Sequence, residues 1–284
     1  MQIEHIVKHE HRQIREATTE PLWVRCLLIA VAVGFLMCFL LLPLLSIFVK
    51  SFSDGLIIFR QSLTNPAALA AIRLTLLTAA IVVPLNIIFG VAAAWCLGKF
   101  EFWGKGFLIT LIDIPFAISP VIAGLLFVFL FSTQSTLGGW LTDNDIKILY
   151  ATPAIVIATM FVTAPFVVRE LLPIMQAQGT EEELAARVLG ARGWQIFWRV
   201  TLPNIKWGLL YGAILCNARA MGEFGAVAVV SGKFRGQTLT LPLYIEMAYQ
   251  EYPKSAPFTL ASVLALLAIV TLIIKTIVEW KTQE

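Results

Sequence analysis

Arg219 and Glu223 stand four residues apart inside the otherwise apolar stretch Gly208–Val230. On a continuous helix that spacing puts both on one face. A charged side chain at mid-bilayer costs about 2.5–3.5 kcal/mol on insertion scales, so each needs a physical reason. One reading is a self-neutralising structural pair. The other is an anion path, in which the Arg219 guanidinium replaces part of the hydration of a dianion and Glu223 holds it in position. Asn217 joins them as a pathway candidate; its alternative, shared with Thr163, is an interhelical hydrogen bond. Asp113 would oppose an anion unless it is paired or faces the cytoplasmic side, and Arg73, near the outer end of its helix, is expected to snorkel.

No engine for uphill work is visible. A phosphate-binding loop needs G-x-x-x-x-G-K-[ST]. The nearest approach, Gly98–Gly106 (GKFEFWGKG), has a spacer one residue too long and Gly106 where the hydroxyl belongs. Lys99 and Lys105 in it read as interfacial anchors. Nucleophile elbows and zinc-protease motifs are missing too, so the chain is expected not to be an enzyme, and any ATP and magnesium belong to a partner. Cys26, Cys38, Cys96 and Cys216 lie in apolar runs without zinc-like spacing and read as small buried hydrophobes. His5, His9 and His11 fall in a polar tail, where a solvated role is expected over metal binding.

These residues are carried by a chain that is 58% hydrophobic and only 14% charged, against about 25% charged in soluble domains. A formal net charge of +3, scattered along the chain, excludes a nucleic-acid surface. Six stretches are apolar enough to cross a bilayer: 22–49, 69–97, 107–131, 152–168, 208–230 and 258–278. They are continuous and do not alternate with period two, which predicts an all-α membrane bundle and rules out a β-barrel. The first run, about 27 residues, is too long for a signal-peptide core and should stay in the membrane. With the N-terminus inside, thirteen lysines and arginines fall in cytoplasmic segments and six in outside loops, Arg73 and Arg219 being intramembrane. Both termini are therefore expected in the cytoplasm. The reading is a polar tail at 1–21, a single transmembrane domain at 22–284, and a long cytoplasmic loop at 169–207.

That loop has its own structure. Thr180 and Glu183 have the spacing of a capping box. Glu181, Glu182 and Glu183 would sit in a first helical turn, where the helix dipole favours negative charge. Leu184, Ala185, Val188 and Leu189 share one apolar stripe, and Gly190 is placed to take the left-handed conformation that ends the helix. A second amphipathic piece around Trp194, Phe197 and Trp198 runs to Pro203. The apolar stripe must be covered, either by the chain's own bundle or by a groove on a cytoplasmic partner.

The loop resembles the cytoplasmic signature of ABC importer permeases, Glu-Ala-Ala, three residues, Gly, nine residues, Ile-x-Leu-Pro. It aligns here as Leu184-Ala185-Ala186, Gly190 and Val200-Thr201-Leu202-Pro203, with Leu184 in place of the usual Glu and Val200 in place of Ile. Asp113–Pro120 (DIPFAISP), Thr163–Glu170 (TAPFVVRE) and Asn217–Ala226 (NARAMGEFGA) resemble sulfate/molybdate-type permeases, most of all the W-type permease subunits of sulfate/thiosulfate importers. The resemblance implies a type I importer permease fold in a bacterial inner membrane. It implies coupling to the ATPase through Thr180, Glu183, Leu184, Ala185, Ala186, Gly190, Leu202 and Pro203. The implied partners are a T-type permease, two ATP-binding subunits and a periplasmic sulfate-binding protein. Molybdate or tungstate as cargo is the alternative. A secondary transporter would call for inverted repeats, which the halves do not display, and an integral-membrane enzyme lacks a catalytic constellation.

Overall fold

The computed structural model describes residues 21–53, 55–251 and 255–282. The polar tail with its three histidines lies outside them except for Pro21. The described residues are helical, with no strand among them. They fall into two units, ending and beginning at Val49 and Lys50.

The first unit is built on α1, a 30-residue apolar helix, Leu22–Ser51, whose last two residues fall in the second unit. It widens to a π-turn at Met37–Leu41, just ahead of Pro43. A proline in a helix interior removes one N–H and crowds the carbonyl four residues back, and a π-turn absorbs that crowding. The same device recurs in the second unit, where a π-turn at Phe197–Thr201 precedes Pro203.

In the second unit, α2 (Leu56–Thr64) leads to α3 (Pro66–Lys99). The Asn65 side chain accepts from the Ala67 amide at 2.9 Å, and Pro66 opens the helix. Next come α4 (Lys105–Ala117), α5 (Pro120–Phe131), α6 (Thr136–Asp143) and α7 (Thr152–Gln178). The loop after α7 contributes α8 (Glu181–Val188) and α9 (Gly193–Ile196). After the second π-turn follow α10 (Leu202–Met221), α11 (Gly225–Val230), α12 (Leu241–Glu251) and α13 (Ser255–Thr282).

Six spans were expected; four helices among the described residues are long and apolar enough to cross a membrane, or five if a bent pair is one span. The stretch 107–131 is that pair, α4 and α5 meeting at 107°. Its cause is local: Pro120 pushes Ser119 out of the helical region to ψ 134°, and Ile118 follows at ψ 136°. The stretch 208–230 is not one helix either. It breaks after Met221 and resumes at Gly225. The stretch 152–168 instead continues through Pro165 and Pro173 to Gln178, so Arg169, expected as the first loop residue, lies inside α7.

The core sits where α3, α7 and α10 pack together. Small residues let the backbones approach, as expected where lipid supplies no hydrophobic drive between helices. A Cβ built on Gly90 of α3 would lie 2.5 Å from Val167 Cγ1 of α7, and one on Gly208 of α10 would lie 2.2 Å from Ile174 Cδ1. Asn86, fully buried, ties all three: its amide donates to Thr163 Oγ1 at 2.7 Å and lies 3.5 Å from Cys216 Sγ. Gly90→Val should cost about 1–3 kcal/mol by overpacking. Melting in detergent should therefore drop, while Gly34→Val, with nothing within 4 Å of its Cβ, should melt as the wild type.

All four cysteines are free, and only Cys216 is buried. Cys26, Cys38 and Cys96 are exposed on helix faces. Their expected burial fails because an apolar side chain in a membrane helix can face lipid and needs no protein cover.

Candidate functional site

Two groups of residues carry the chemistry, one at the loop between α7 and α10 and one at the helix breaks. At the loop, Gly179 takes φ +62° and α8 begins two residues later. The expected capping box is not formed. Thr180 precedes the helix but its side chain makes no cap bond. Glu183 turns instead toward the bundle: its Oε1 accepts from the Thr201 hydroxyl at 2.7 Å and lies 3.3 Å from Lys99 Nζ. Lys99, at the last turn of α3, is only 5% exposed and also donates to the Gly179 carbonyl. A helix cap is worth about 1 kcal/mol, whereas a buried ammonium left without its counter-charge costs about 3–5 kcal/mol. The ion pair therefore takes the carboxylate. Glu182 accepts from the Asn204 amide, and Gln178 donates to the Asn204 carbonyl at 3.1 Å, so both sides of the loop are tied to the start of α10. Lys99 was read from sequence as an interfacial anchor; only the fold brings it to Glu183.

Gly190 takes φ +86°. Its amide donates to Arg187 O and that of Ala191 to Ala186 O, both at 3.0 Å, which closes α8 with the paired bonds of a Schellman motif. A back-reaching side chain closes the start of the next helix, where the Arg192 amide donates to Gln195 Oε1 at 2.9 Å. The apolar stripe is uncovered: Leu184 and Ala185 are exposed, Val188 is 88% exposed and Leu189 87%. Ala186 is half-buried, and Leu202 and Pro203 open α10.

At the breaks, Arg219 lies in the last turn of α10 and Glu223 lies outside any helix. The four-residue spacing still brings them together, with Arg219 Nη1 2.7 Å from Glu223 Oε2. The other carboxylate oxygen accepts from the Ala226 amide at 2.9 Å. Glu223 thus closes the gap between α10 and α11 with its side chain, and that side chain is 1% exposed against 33% for Arg219. Sequence spacing identified the pair but not the carboxylate's second task. α11 presses on α5: a Cβ on Gly225 would lie 2.9 Å from Pro120 Cβ, and one on Gly124 would lie 2.7 Å from the Ala226 carbonyl. The two interrupted helices therefore meet at their breaks. Asn217 is half-buried and makes no side-chain hydrogen bond among the described residues; Thr163 has the interhelical role, with Asn86. Asp113 is paired, its Oδ1 accepting from Arg169 Nε of α7 at 2.8 Å. Arg73 is exposed, in the second turn of α3.

A bundle with interrupted apolar helices, ion pairs beside them and an uncovered apolar stripe on a short loop helix matches a known family. The family model described as binding-protein-dependent transport system inner membrane component matches residues 86–283. The chain belongs to this family. Among curated relatives in and around it, the sulfate transport system permease protein CysW of Escherichia coli (strain K12) is 48% identical over 276 residues, 97% of this chain and 95% of that protein. CysW of Synechocystis sp. is 51% identical over 259 residues, 91% of this chain and 94% of the relative. The sulfate transport system permease protein CysT of E. coli is 37% identical over 81% of this chain and 83% of its own length. In fold, the chain is similar to a solved bacterial ABC transporter involved in import of the acidic polysaccharide alginate, with a TM-score of 0.74 and 17% identity over 92% of this chain and 95% of that one. The family is one of membrane components, and the apolar helices make this chain a multi-pass membrane protein of the same kind.

Proposed function

We propose that this chain is a transmembrane permease subunit of an ATP-driven sulfate/thiosulfate importer in a bacterial inner membrane. The anion passes by alternating access. ATP and magnesium are held by a separate ATPase, and this chain holds no cofactor. The partners are a T-type permease, two ATP-binding subunits and a periplasmic sulfate-binding protein. The cargo reading is supported by the printed names of relatives 48–51% identical to this chain. The chain is taken as a tail at 1–21 and one permease domain at 22–284, of type I fold. It crosses the membrane six times, α10 with α11 forming a sixth, interrupted span beside the five candidates. Placing Arg169 inside α7 leaves twelve cytoplasmic lysines and arginines against six outside, which still favours both termini in the cytoplasm.

The observation that carries the reading is the loop at 179–204: a helix fastened to the bundle through Glu183 and Lys99 while its apolar face stays open. A solvated helix with no partner has no reason to present Val188 and Leu189 to water, and a groove on a cytoplasmic ATPase would cover them. Leu189→Glu should leave the permease inserted and reduce the ATPase that co-purifies with it; equal co-purification would sink the docking role. The functional test is reconstitution with candidate partners. Sulfate-loaded binding protein should stimulate ATP hydrolysis and uptake, and molybdate working where sulfate fails would move the chain to the molybdate/tungstate reading.

A further inference from the structure

We propose that Arg169 is an anion-binding station on the cytoplasmic side of the pathway, where a tetrahedral oxyanion takes the place of Asp113 on the guanidinium. The inference rests on the reading of this chain as an anion permease and names a second site for the same substrate class.

Arg169 and Asp113 are matched in depth. Arg169 lies nine residues from the end of α7 at Gln178, and Asp113 lies eight from the start of α4 at Lys105. At 1.5 Å per residue both sit about 12–14 Å in from the cytoplasmic ends of their helices. Their side chains are 57% and 34% exposed. A charge open to lipid at such a depth is costly, so this face belongs to protein or to a polar passage. The residues around it form a cleft of about 290 Å³, on the order of ten waters by liquid volume. Gln176, two turns further along α7, adds an amide to its lining.

The guanidinium is set to receive an oxyanion. It spends one donor, Nε, on Asp113, and its Nη groups have no hydrogen-bond partner among the described residues. Its plane is held by Phe116, whose ring centroid lies 4.5 Å from Cζ, and Phe116 is buttressed edge-on by Phe166 at 5.1 Å. Arginine's planar fork presents paired N–H groups suited to a tetrahedral oxyanion.

The two intramembrane pairs differ in what the carboxylate can do. Glu223 is committed, because its second oxygen caps α11 through the Ala226 amide and its side chain is 1% exposed. Asp113 has no such second bond: its hydrogen-bond partner is Arg169 alone among the described residues. It can therefore be displaced by a dianion and return when the anion leaves. On this reading Asp113 competes for the guanidinium, keeps it neutralised between transport events and promotes release toward the cytoplasm.

The test uses the complex reconstituted with its partners and labelled sulfate. One measurement is uptake per assembled complex; the other is label retained after the binding protein is washed away. Charge-assisted hydrogen bonds are worth about 1.5–3 kcal/mol, so Arg169→Gln should lower both about tenfold or more. Asp113→Asn removes the competitor and should raise retention while slowing release. Opposite signs for the two variants support the station. A merely structural pair predicts the same loss from either, and that outcome, or unchanged uptake in Arg169→Gln, overturns it. Should Arg169→Gln not assemble, Asp113→Asn decides alone: no rise in retention rejects the proposal. A wild-type complex that moves neither sulfate nor any related oxyanion removes the anion-permease reading itself, and this inference falls with it.

Discussion

Glu223→Ala should sharply reduce the amount of assembled protein in the membrane, while Arg219→Gln should leave that amount near normal and reduce anion uptake instead. The asymmetry follows from what each partner does. Removing the carboxylate leaves Arg219, a third exposed, without its counter-charge. It also takes away the acceptor of the Ala226 amide, which opens the junction between α10 and α11. Since α11 packs on α5 at Gly124 and Pro120, the damage spreads to the bent pair as well. Arg219→Gln keeps a donor near Glu223 and leaves the carboxylate bonded to Ala226. What it removes is the positive charge, a third exposed, that can attract a dianion. Membrane-fraction immunoblots set against uptake per assembled complex separate the two. Equal loss of level in both variants would assign the pair a structural role only.

Lys99→Met should uncouple the transporter. In the reconstituted complex, ATP hydrolysis should persist while its stimulation by the loaded binding protein and the accompanying uptake fall together. Lys99 links the end of α3 to the entry of α8 through the Gly179 carbonyl and the Glu183 carboxylate, and Glu183 in turn holds Thr201 ahead of α10. If α8 docks on the ATPase as proposed, a push on it would be carried by these bonds into α3, which packs against α7 along much of its length. Met preserves the apolar stem and deletes the charge, so the loss reports on the linkage rather than on packing. Glu183→Gln should behave in the same direction but more mildly, because an amide can still accept from Thr201. Normal stimulation in Lys99→Met would exclude a transmitting role for this network.

Much of the bundle was legible in the linear chain. Runs of apolar residues long enough for a bilayer announce membrane helices whatever they pack against, because burial in lipid requires only length and composition. The loop was legible for a related reason: Gly190 ends α8 by a backbone preference that acts within one turn. The capping box was misread because Thr180 and Glu183 satisfy a local rule that a distant residue overrides. Lys99 is 84 positions earlier in the chain, and no local pattern connects it to Glu183. The interruptions within the expected spans 107–131 and 208–230 were illegible for a similar reason. Their composition is continuous, but Pro120 bends one, and Glu223, turned back to the Ala226 amide, marks the gap in the other.

The intramembrane charges divide along the same line. That Arg219 and Glu223 form a pair follows from a four-residue spacing alone, and it survives even though Glu223 leaves the helix. That Glu223 also caps α11, that Asp113 meets Arg169 rather than solvent, and that Lys99 fastens α8 are decisions of the tertiary structure. The division has one physical cause. Hydrophobicity, helix length and turn preference are carried by neighbours in sequence and act within a few residues. A buried or half-buried charge is satisfied by whichever opposite charge the packing brings within about 3–4 Å; of the pairs Lys99–Glu183, Arg169–Asp113 and Arg219–Glu223, the first two draw that partner from another helix.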